Sequence, residues 1–336
     1  MTPVTIIGGF LGAGKTTLVR RLLANPEGRR LGVLVNDFGA LNIDAEIIGE
    51  IRPDVVSLKN GCICCNINSD LAGGVRQLLA TERPPDQIII ETSGVSQPRR
   101  VAETFFSNGV SDRLTVDCIL CLIDCLNFPS LTYEETEFAI EQAAVADIVV
   151  LNKVDASSRA AIKSISKTLR DALPYVRILE AAHADISPEI VFGVDHQRRR
   201  RWSAMRAVGL VDGDMQTHDR TFVSWSWQSN RLLSLAAFRE AVGQFPTSIY
   251  RAKGALFFDD APGEPGLFQL VGKRSSLDFQ GRLPSIRRNS LVAIGRRDCF
   301  DPARMQAIID SCLLTHQETT QRLQSGLAEP SPVRCS

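Results

Sequence analysis

Short apolar runs rich in β-branched residues alternate with segments of helical periodicity along residues 1–194. Side chains alternate with period 2 in strands and with period 3.6 in helices, so the runs predict strands and the segments between them predict helices. This alternation is typical of a mostly parallel, doubly wound α/β sheet. The predicted strands are Val4–Ile7, Gly32–Val35, Val55–Leu58, Ile88–Ile90, Val116–Ile123, Ile148–Leu151 and Val176–Leu179. The predicted helices are Thr16–Ala24, Ser69–Thr81, Arg99–Phe106, Glu134–Ala144 and Ser157–Ala172.

A second pattern begins at Arg220 and predicts a smaller α+β domain with an antiparallel sheet over residues 220–318. The run 222–227 alternates with period 2 and places Val223, Trp225 and Trp227 on one face. Asp301 followed by Pro302 signals a helix start. The other predicted elements are a helix at Leu232–Val242, strands at Leu256–Phe258, Phe268–Lys273 and Leu291–Gly295, and a last helix that runs to about Leu314.

Residues 195–219 separate the two patterns and show little periodicity, so we predict a linker or an exposed insertion there. The Arg198–Arg201 run within it fits a solvated loop, because blocks of like charge are usually exposed. A patch that docks a partner is the alternative. Residues 319–336 are polar and predict a frayed tail.

Charge balance and cysteine placement limit the class of protein. The chain of 336 residues has 38 Lys plus Arg and 38 Asp plus Glu, so its formal net charge is zero. Nucleic-acid-binding proteins usually carry a basic excess, and we expect no nucleic-acid partner. The sequence shows no export signal or membrane-spanning run, and six of its nine cysteines lie in two clusters, at 62–65 and 118–125. Clustered cysteines without an export signal favour metal or redox chemistry, so we expect a cytoplasmic protein with no membrane partner.

Residues 9–16 read Gly-Phe-Leu-Gly-Ala-Gly-Lys-Thr and match the phosphate-binding pattern G-x-x-x-x-G-K-[ST] between a predicted strand and a predicted helix. In such a loop, backbone N–H groups and the helix N-terminus face phosphate oxygens. We expect Lys15 to reach the β- and γ-phosphates and Thr16 to bind Mg²⁺. The predicted nucleotide-binding residues of this segment are Gly9, Gly12, Gly14, Lys15, Thr16 and Thr17.

The segment Glu-Thr-Ser-Gly at 91–94 follows a predicted strand. A carboxylate at the carboxyl end of a strand faces the crevice where α/β folds bind ligands. Glu91 can hold the Mg²⁺ hydration shell or position the attacking water, and Gly94 can offer its N–H to the γ-phosphate. We therefore predict Lys15, Glu91 and Gly94 as catalytic residues, and Thr16 with Glu91 as the magnesium site. A plain strand-end cap is the alternative role of Glu91.

The segment Asn-Lys-Val-Asp at 152–155 also follows a predicted strand and indicates guanine recognition. Asp155 can accept hydrogen bonds from N1–H and N2–H₂ of guanine together, which is a charged bidentate contact. Adenine has no N1–H and would leave a buried carboxylate unpaired, at a cost of about 1–3 kcal/mol or more. Lys153 can lay its aliphatic stem along the base, and Asn152 can tie this loop to the phosphate loop. We predict GTP rather than ATP.

Cys62, Cys64 and Cys65 lie within four residues, between a predicted strand and a predicted helix. A nearby helix N-terminus lowers the pKa of a thiol and so favours the thiolate. Thiolates bind Zn²⁺ and similar metals. Three sulfur ligands leave one tetrahedral position open for exchange. The alternatives are buried apolar side chains and a redox switch.

The second cysteine cluster, Cys118, Cys121 and Cys125, predicts core packing rather than a metal site. In a strand, positions 118 and 121 point to opposite faces. Positions 121 and 125 share a face but lie about 13 Å apart.

The chain resembles the CobW-type GTPases in the identity and order of its motifs. These motifs are the glycine-rich loop at 8–17, Asn-Asp-Phe-Gly at 36–39, Gly-Cys-Ile-Cys-Cys at 61–65, Glu-Thr-Ser-Gly at 91–94 and Asn-Lys-Val-Asp at 152–155. The segment Tyr250–Gly254 resembles the start of the family's small C-terminal domain. The resemblance implies a P-loop NTPase fold and slow GTP hydrolysis coupled to metal handling, as in zinc chaperones, cobalt insertion factors and nitrile hydratase activators.

The resemblance also implies site residues. The transition-metal ligands would be among Cys62, Cys64 and Cys65, the first switch would be residues 36–44, and His183 would belong to the loop that closes the base pocket. Two positions depart from the family pattern, because Asp37 stands where Glu is common and Ala40 replaces another Glu. Asp37 is therefore a candidate metal ligand with a shorter side chain. Only four His occur in the chain, so we expect no His-rich metal store.

These observations predict a GTP-hydrolysing metal chaperone that uses Mg²⁺. We expect it to load Zn²⁺, with Co²⁺ or Fe²⁺ as alternatives, and to deliver the metal to a client metalloprotein or metal-requiring enzyme. Two other functions stay open, namely a maturation factor for one metalloenzyme and a regulatory module that senses GTP and oxidation without metal transfer. The sequence leaves the metal, the client and the oligomeric state undetermined.

Overall fold

The computed structural model of the chain describes residues 1–35, 55–57, 67–94, 113–193, 222–279 and 288–314. The chain divides into two compact units. The first contains Met1–His218 with Val271–Arg274, and the second contains Asp219–Leu270 with Ser275–Ser336. The predicted linker at 195–219, the predicted helix at Arg99–Phe106 and the predicted tail at 319–336 lie outside the described residues.

The first unit is built on a sheet of seven described strands. These are β1 (Thr2–Gly9), β2 (Leu31–Val35), β3 (Val55–Ser57), β4 (Gln87–Glu91), β5 (Leu114–Asp124), β6 (Ile148–Asn152) and β7 (Ile178–Glu180). Their order in the sheet is β3-β2-β4-β1-β5-β6-β7, and every neighbouring pair is parallel. The structure therefore confirms the predicted parallel α/β sheet.

The described helices of the first unit connect these strands. They are α1 (Lys15–Ala24), α2 (Ile67–Leu79), α3 (Tyr133–Val145), α4 (Arg159–Ala172) and α5 (Pro188–Phe192), with a short 3₁₀ helix at Phe128–Ser130. Every residue of β2, β4 and β6 is buried, as expected when helices cover both faces of a parallel sheet. Sequence signals set the starts of α3 and α4. Thr132 forms a capping box with Glu135, and Ser158 accepts a hydrogen bond from the Ala161 N–H.

Strand register brings distant segments to one edge of this sheet. Ile7 pairs with Glu91 across β1 and β4, and Asp124 pairs with Asn152 across β5 and β6. Because the strands are parallel, their carboxyl ends meet at the same edge. The loops that follow β1, β4, β5 and β6 therefore gather where doubly wound folds bind ligands.

The second unit contains a sheet of five described strands and two described helices. The strands are β8 (Phe222–Ser229), β9 (Ile249–Phe258), β10 (Ala261–Val271), β11 (Arg274–Phe279) and β12 (Asn289–Arg296), and the helices are α6 (Leu235–Gly243) and α7 (Pro302–Asp310). The sheet order is β11-β10-β9-β12-β8, and β12 is antiparallel to both β8 and β9. Trp227 lies in the core, with Val223 and Trp225 packed against it, which confirms the predicted face of β8.

Several predicted elements in the second half differ from the structure. The strands predicted from Leu256 and from Phe268 begin earlier, at Ile249 and Ala261, and the last helix, predicted to run to about Leu314, ends at Asp310. The helix predicted from Leu232 begins at Leu235, because the hydroxyl of Ser234 accepts from the Ala237 N–H and caps it. The strand predicted at Phe268–Lys273 ends at Val271, since Gly272 adopts a left-handed φ of +54° in a turn. The strand β11 was not predicted, because its residues are largely exposed and lack an alternating apolar pattern.

The turn Val271–Arg274 belongs to the first unit. Nε and Nη2 of Arg274 donate to the buried carboxylate of Asp147 at 3.1 and 2.9 Å. A Cβ on Gly272 would lie 1.8 Å from the carbonyl oxygen of Asp147, so this turn requires glycine. None of the helices in the described ranges combines the length and the apolar character that a membrane-spanning helix needs.

Candidate functional site

The glycine-rich loop between β1 and α1 is shaped to hold an anion. Helix α1 begins at Lys15, with Gly14 as its N-cap in the left-handed region at φ +98°. The first turn contains no acidic residue, so no side chain of the helix itself offsets the partial positive charge of its N-terminus. Lys15 is 8% exposed, and its Nζ donates to the carbonyl oxygens of Gly9 and Phe10 at 3.0 and 3.1 Å. The ammonium therefore lies over the loop whose N–H groups would face phosphates.

Thr16 and Glu91 are brought together beside this loop. The Thr16 hydroxyl donates to Oε1 of Glu91 at 2.6 Å, and Glu91 is 4% exposed. A hydroxyl and a carboxylate are hard oxygen donors of the kind that Mg²⁺ prefers. The two side chains predicted to bind magnesium are thus adjacent and chemically suited to it, and their role as ligands stays a prediction.

Gly94 lies against the glycine-rich loop. A Cβ on Gly94 would lie 2.7 Å from the backbone nitrogen of Leu11, so a larger residue would displace one segment from the other. Nε2 of the buried Gln142 in α3 lies 3.4 Å from the carbonyl oxygen of Gly94. The close approach holds the segment after β4 next to the predicted phosphate site.

Asn152 joins three loops of the site. Its Nδ2 donates to the carbonyl oxygen of Ala13 at 2.8 Å, and its Oδ1 accepts from the Ala184 N–H at 2.7 Å. A Cβ on Gly14 would lie 2.4 Å from Asn152 Nδ2, which shows how closely the amide packs on the glycine-rich loop. Arg21 and Asp185 add an exposed ion pair of 3.2 Å between α1 and the loop after β7.

Asp155 and His183 lie next to each other at the predicted base pocket. Nε2 of His183 is 3.3 Å from Oδ2 of Asp155. Lys153, His183 and Ala184 adopt left-handed φ angles of 61°, 52° and 54°. Such angles are costly for residues other than glycine and recur at ligand-binding loops. The structure therefore brings the predicted guanine-contacting residues together, while their contacts with a base stay predictions.

Sequence reasoning did not assign a role to Asp124, which the structure places in this site. Nζ of Lys153 donates to Oδ2 of Asp124 at 2.6 Å. The signal in the sequence was a single charge that interrupts an apolar run at the carboxyl end of a predicted strand. Asp124 also lines a small cleft together with Phe10, Leu11 and Asn127.

The cysteines that the structure describes do not form a metal site. Cys118, Cys121 and Cys125 are buried and form no disulfide, as predicted for core residues. Burial raises the pKa of Cys121 and that of Cys125 from 9.0 to about 12, which disfavours the thiolates that bind metals. No cluster of three metal-ligating side chains occurs within the described ranges. The predicted ligands Cys62, Cys64 and Cys65, the candidate Asp37 and the predicted switch at 36–44 lie outside those ranges.

The fold and the site together define a P-loop nucleotide-binding protein. Residues 3–180 match the family model described as the CobW/HypB/UreG nucleotide-binding domain, and residues 222–313 match the cobalamin synthesis protein CobW C-terminal domain. The chain belongs to this CobW family.

Several relatives are similar along most of the chain. A protein named zinc chaperone CobW from Pseudomonas aeruginosa is 32% identical over 339 residues, which cover 88% of this chain and 87% of the relative. A protein of the same name from Sinorhizobium sp is 30% identical over 351 residues, which cover 91% and 96%. Among solved structures, the Zn(II)-bound YjiA GTPase from E. coli is 19% identical with a TM-score of 0.42, over 93% of this chain and 99% of that chain.

Proposed function

We propose that this protein binds and hydrolyses GTP and uses the cycle to load a divalent transition metal and deliver it to a client metalloprotein. Zn²⁺ is the proposed metal, with Co²⁺ and Fe²⁺ as the alternatives. The observation that carries the nucleotide half of the proposal is the 2.6 Å contact between Thr16 and Glu91 beside the buried Lys15. Membership of the CobW family and the names of its relatives support the metal half.

The glycine-rich loop would bind the phosphates. The ammonium of Lys15 would exchange its hydrogen bonds to the carbonyl oxygens of Gly9 and Phe10 for hydrogen bonds to the β- and γ-phosphate oxygens, which carry more negative charge. Thr16 and Glu91 would hold Mg²⁺, which supplies neutralisation of charge on the phosphate oxygens. Glu91 would orient the attacking water, and the N–H of Gly94 would contact the γ-phosphate.

The loop 152–155 would select guanine. Asp155 would accept from N1–H and N2–H₂ of the base, and Lys153 would cover the base with its aliphatic stem. Asn152 would keep this loop in register with the glycine-rich loop through its hydrogen bond to Ala13. His183, next to Asp155, would border the same pocket.

The cysteines at 62, 64 and 65 would bind the transported metal as thiolates. GTP would order residues 36–44 and draw the cysteine loop into a geometry that binds metal. Hydrolysis would then relax residues 36–44, and the metal would be released to the client. Order–disorder changes of this kind follow loss of the γ-phosphate in other GTPases. The sequence motifs include no evident arginine finger, so we propose a slow intrinsic rate that a client can accelerate.

Steady-state turnover of GTP and ATP tests the nucleotide half. We expect kcat/KM for GTP to exceed that for ATP by at least about a hundredfold, which corresponds to about 2.7 kcal/mol. Asp155→Asn should reduce this ratio, and Lys15→Ala should abolish turnover of both nucleotides. Equal kcat/KM for GTP and ATP would overturn the proposal. Turnover that survives Lys15→Ala would overturn the assignment of the phosphate site.

A further inference from the structure

Asp124 and Lys153 form an ion pair at the carboxyl ends of two neighbouring strands. Nζ of Lys153 lies 2.6 Å from Oδ2 of Asp124. Asp124 is the last residue of β5 and pairs in register with Asn152, the residue before Lys153. The side chain of Asp124 is 6% exposed and that of Lys153 is 33% exposed. The acid is thus the buried partner, and the lysine reaches it from the loop that is predicted to contact guanine.

The carboxylate of Asp124 is held independently of Lys153. Its Oδ1 accepts from the backbone N–H groups of Leu126 and Asn127 at 2.9 and 3.4 Å. Its Oδ2 accepts from Nδ2 of Asn127 at 2.8 Å. These donors fix the orientation of the carboxylate, so the end of β5 determines where the lysine ammonium lies.

The backbone of Lys153 has an uncommon conformation, and the position of its side chain is defined at its far end. Its φ of +61° lies in the left-handed region, which costs a residue with a Cβ about 1–2 kcal/mol. A lysine side chain also has high rotamer entropy, and it keeps one direction only where contacts at its end define that direction. The backbone N–H of Cys125 donates to the carbonyl oxygen of Asn152 at 3.0 Å and joins the same two strand ends.

We propose that Asp124 is a positioning residue for guanine-nucleotide binding and that it acts through Lys153. By holding the ammonium, Asp124 keeps the aliphatic stem of Lys153 in the orientation that covers the base, while Asp155 contacts the base edge. This inference rests on the proposed function, since it requires that residues 152–155 bind guanine. The base lies away from the transferred phosphoryl group in any nucleoside triphosphate, so we expect this contact to contribute to affinity and not to the chemical step.

Asp124→Asn tests this role with little change in side-chain shape. The new N–H₂ group would face either Lys153 Nζ with Asn127 Nδ2, or the backbone N–H groups of Leu126 and Asn127, and all of these are donors. We expect the Kd for GDP and the KM for GTP each to rise about tenfold (about 1.4 kcal/mol), with kcat within about twofold of wild type. Inhibition of GTP turnover by tripolyphosphate, which has no base, should be unchanged within about twofold. If Asp124 had a merely structural role, Asp124→Asn would weaken the binding of tripolyphosphate and the binding of GDP alike.

A double-mutant cycle tests whether Asp124 acts through the lysine. Lys153→Met keeps an apolar stem and removes the ammonium. In that background, Asp124→Asn should raise the GDP Kd by less than about twofold, because the interaction is already lost. The matched control is Asp171→Asn, since Asp171 also lies 2.6 Å from a lysine, Lys167, but with side chains 63% and 78% exposed. This control should leave GDP binding unchanged.

Each outcome decides the proposal. If Asp124→Asn does not fold, Asn127→Ala removes one donor to the carboxylate and should raise the GDP Kd about two- to threefold. Unchanged GDP binding in the folded variants would overturn the positioning role. The same holds if Asp124→Asn raises the GDP Kd by the same factor with and without Lys153→Met. Wild-type protein that binds GDP no more tightly than ADP would overturn the proposed guanine site itself, and this is measured before any variant is made.

Discussion

The hydroxyl of Thr16 donates a hydrogen bond of 2.6 Å to Oε1 of Glu91, although 75 residues separate them in the chain. Thr16 lies in the first turn of α1 and Glu91 is the last residue of β4. The contact exists because β4 is the parallel neighbour of β1, with Glu91 opposite Ile7 just before the glycine-rich loop. It places a buried carboxylate beside the predicted phosphate site, where such a group can hold a divalent cation.

Glu91→Gln removes the negative charge at this position with almost no change in volume. We expect Mg²⁺-dependent GTP turnover to fall about a hundredfold, because the magnesium site loses its charged ligand. GDP binding measured without Mg²⁺ should stay within about threefold of wild type. The control is Glu82→Gln, at an exposed position after α2. An unchanged dependence of turnover on Mg²⁺ concentration in Glu91→Gln would contradict the assignment.

Two glycines should respond oppositely to alanine. Gly14 has φ +98°, and a Cβ there would lie 2.4 Å from Asn152 Nδ2. We expect Gly14→Ala to lower the free energy of unfolding by about 2–4 kcal/mol and to abolish GDP binding. Gly73 lies inside α2, and a Cβ added there would meet nothing within 4 Å, so Gly73→Ala should raise the free energy of unfolding by about 0.5–1 kcal/mol. Urea unfolding measures both changes, and a shift of the same sign in the two variants would contradict the packing at Gly14.

Asn152→Ala should affect stability and nucleotide binding together. The substitution leaves the Ala13 carbonyl and the Ala184 N–H without their partner, which costs about 1–3 kcal/mol for each buried group. GDP affinity should fall as well, since the two loops are no longer joined.

Asn289 provides the matched control, because this buried amide of the second unit also has one acceptor and one donor contact, to Phe257 and Arg231. Asn289→Ala should destabilise its own unit and leave GDP affinity unchanged. An equal loss of GDP affinity in Asn152→Ala and Asn289→Ala would show that the Asn152 contacts have no specific role in the nucleotide site.

The buried thiol of Cys121 should make stability depend on alkaline pH. Burial raises the pKa of this thiol from 9.0 to about 12, so the unfolded chain loses the proton at lower pH than the folded chain. Its contribution to stability is complete below about pH 9 and is lost as the pH rises towards about 12. Cys121→Ser should therefore show a shallower fall of Tm between about pH 9 and 11 than wild type. The exposed Cys299 serves as the control, and Cys299→Ser should leave the slope unchanged. Equal slopes in Cys121→Ser and wild type would contradict this account.

The sequence predicted those parts of the fold that depend on local patterns. Buried parallel strands are continuous apolar runs, and β2, β4 and β6 were predicted to within one residue at each end. The strand β11 was not predicted because its exposed residues have no apolar face to reveal it. The start of α6 was placed at Leu232, since apolar periodicity does not distinguish that residue from Leu235, whereas the Ser234 cap does.

Within the candidate site, too, the sequence predicted the local motifs but not the contacts between distant residues. The phosphate and guanine motifs are contiguous in sequence, so their residue types and spacing could be interpreted directly. The contact between Asp124 and Lys153 joins residues 29 positions apart, and it depends on the register between β5 and β6. Sequence alone indicated a charge at the end of an apolar run and did not specify its partner.

The most direct test of the proposed function is a competition titration of Zn²⁺ and Co²⁺ against a chelator. It compares nucleotide-free protein, protein with GDP, and protein with a non-hydrolysable GTP analogue and Mg²⁺, and it repeats the series with a Cys64→Ala, Cys65→Ala variant. A GTP-driven metal chaperone predicts at least about tenfold tighter metal binding in the GTP-analogue form, which is about 1.4 kcal/mol of coupling. The variant should lose this difference. Equal metal affinity in all three nucleotide states would contradict the account and would favour a redox-sensing or partner-binding role for the cysteines.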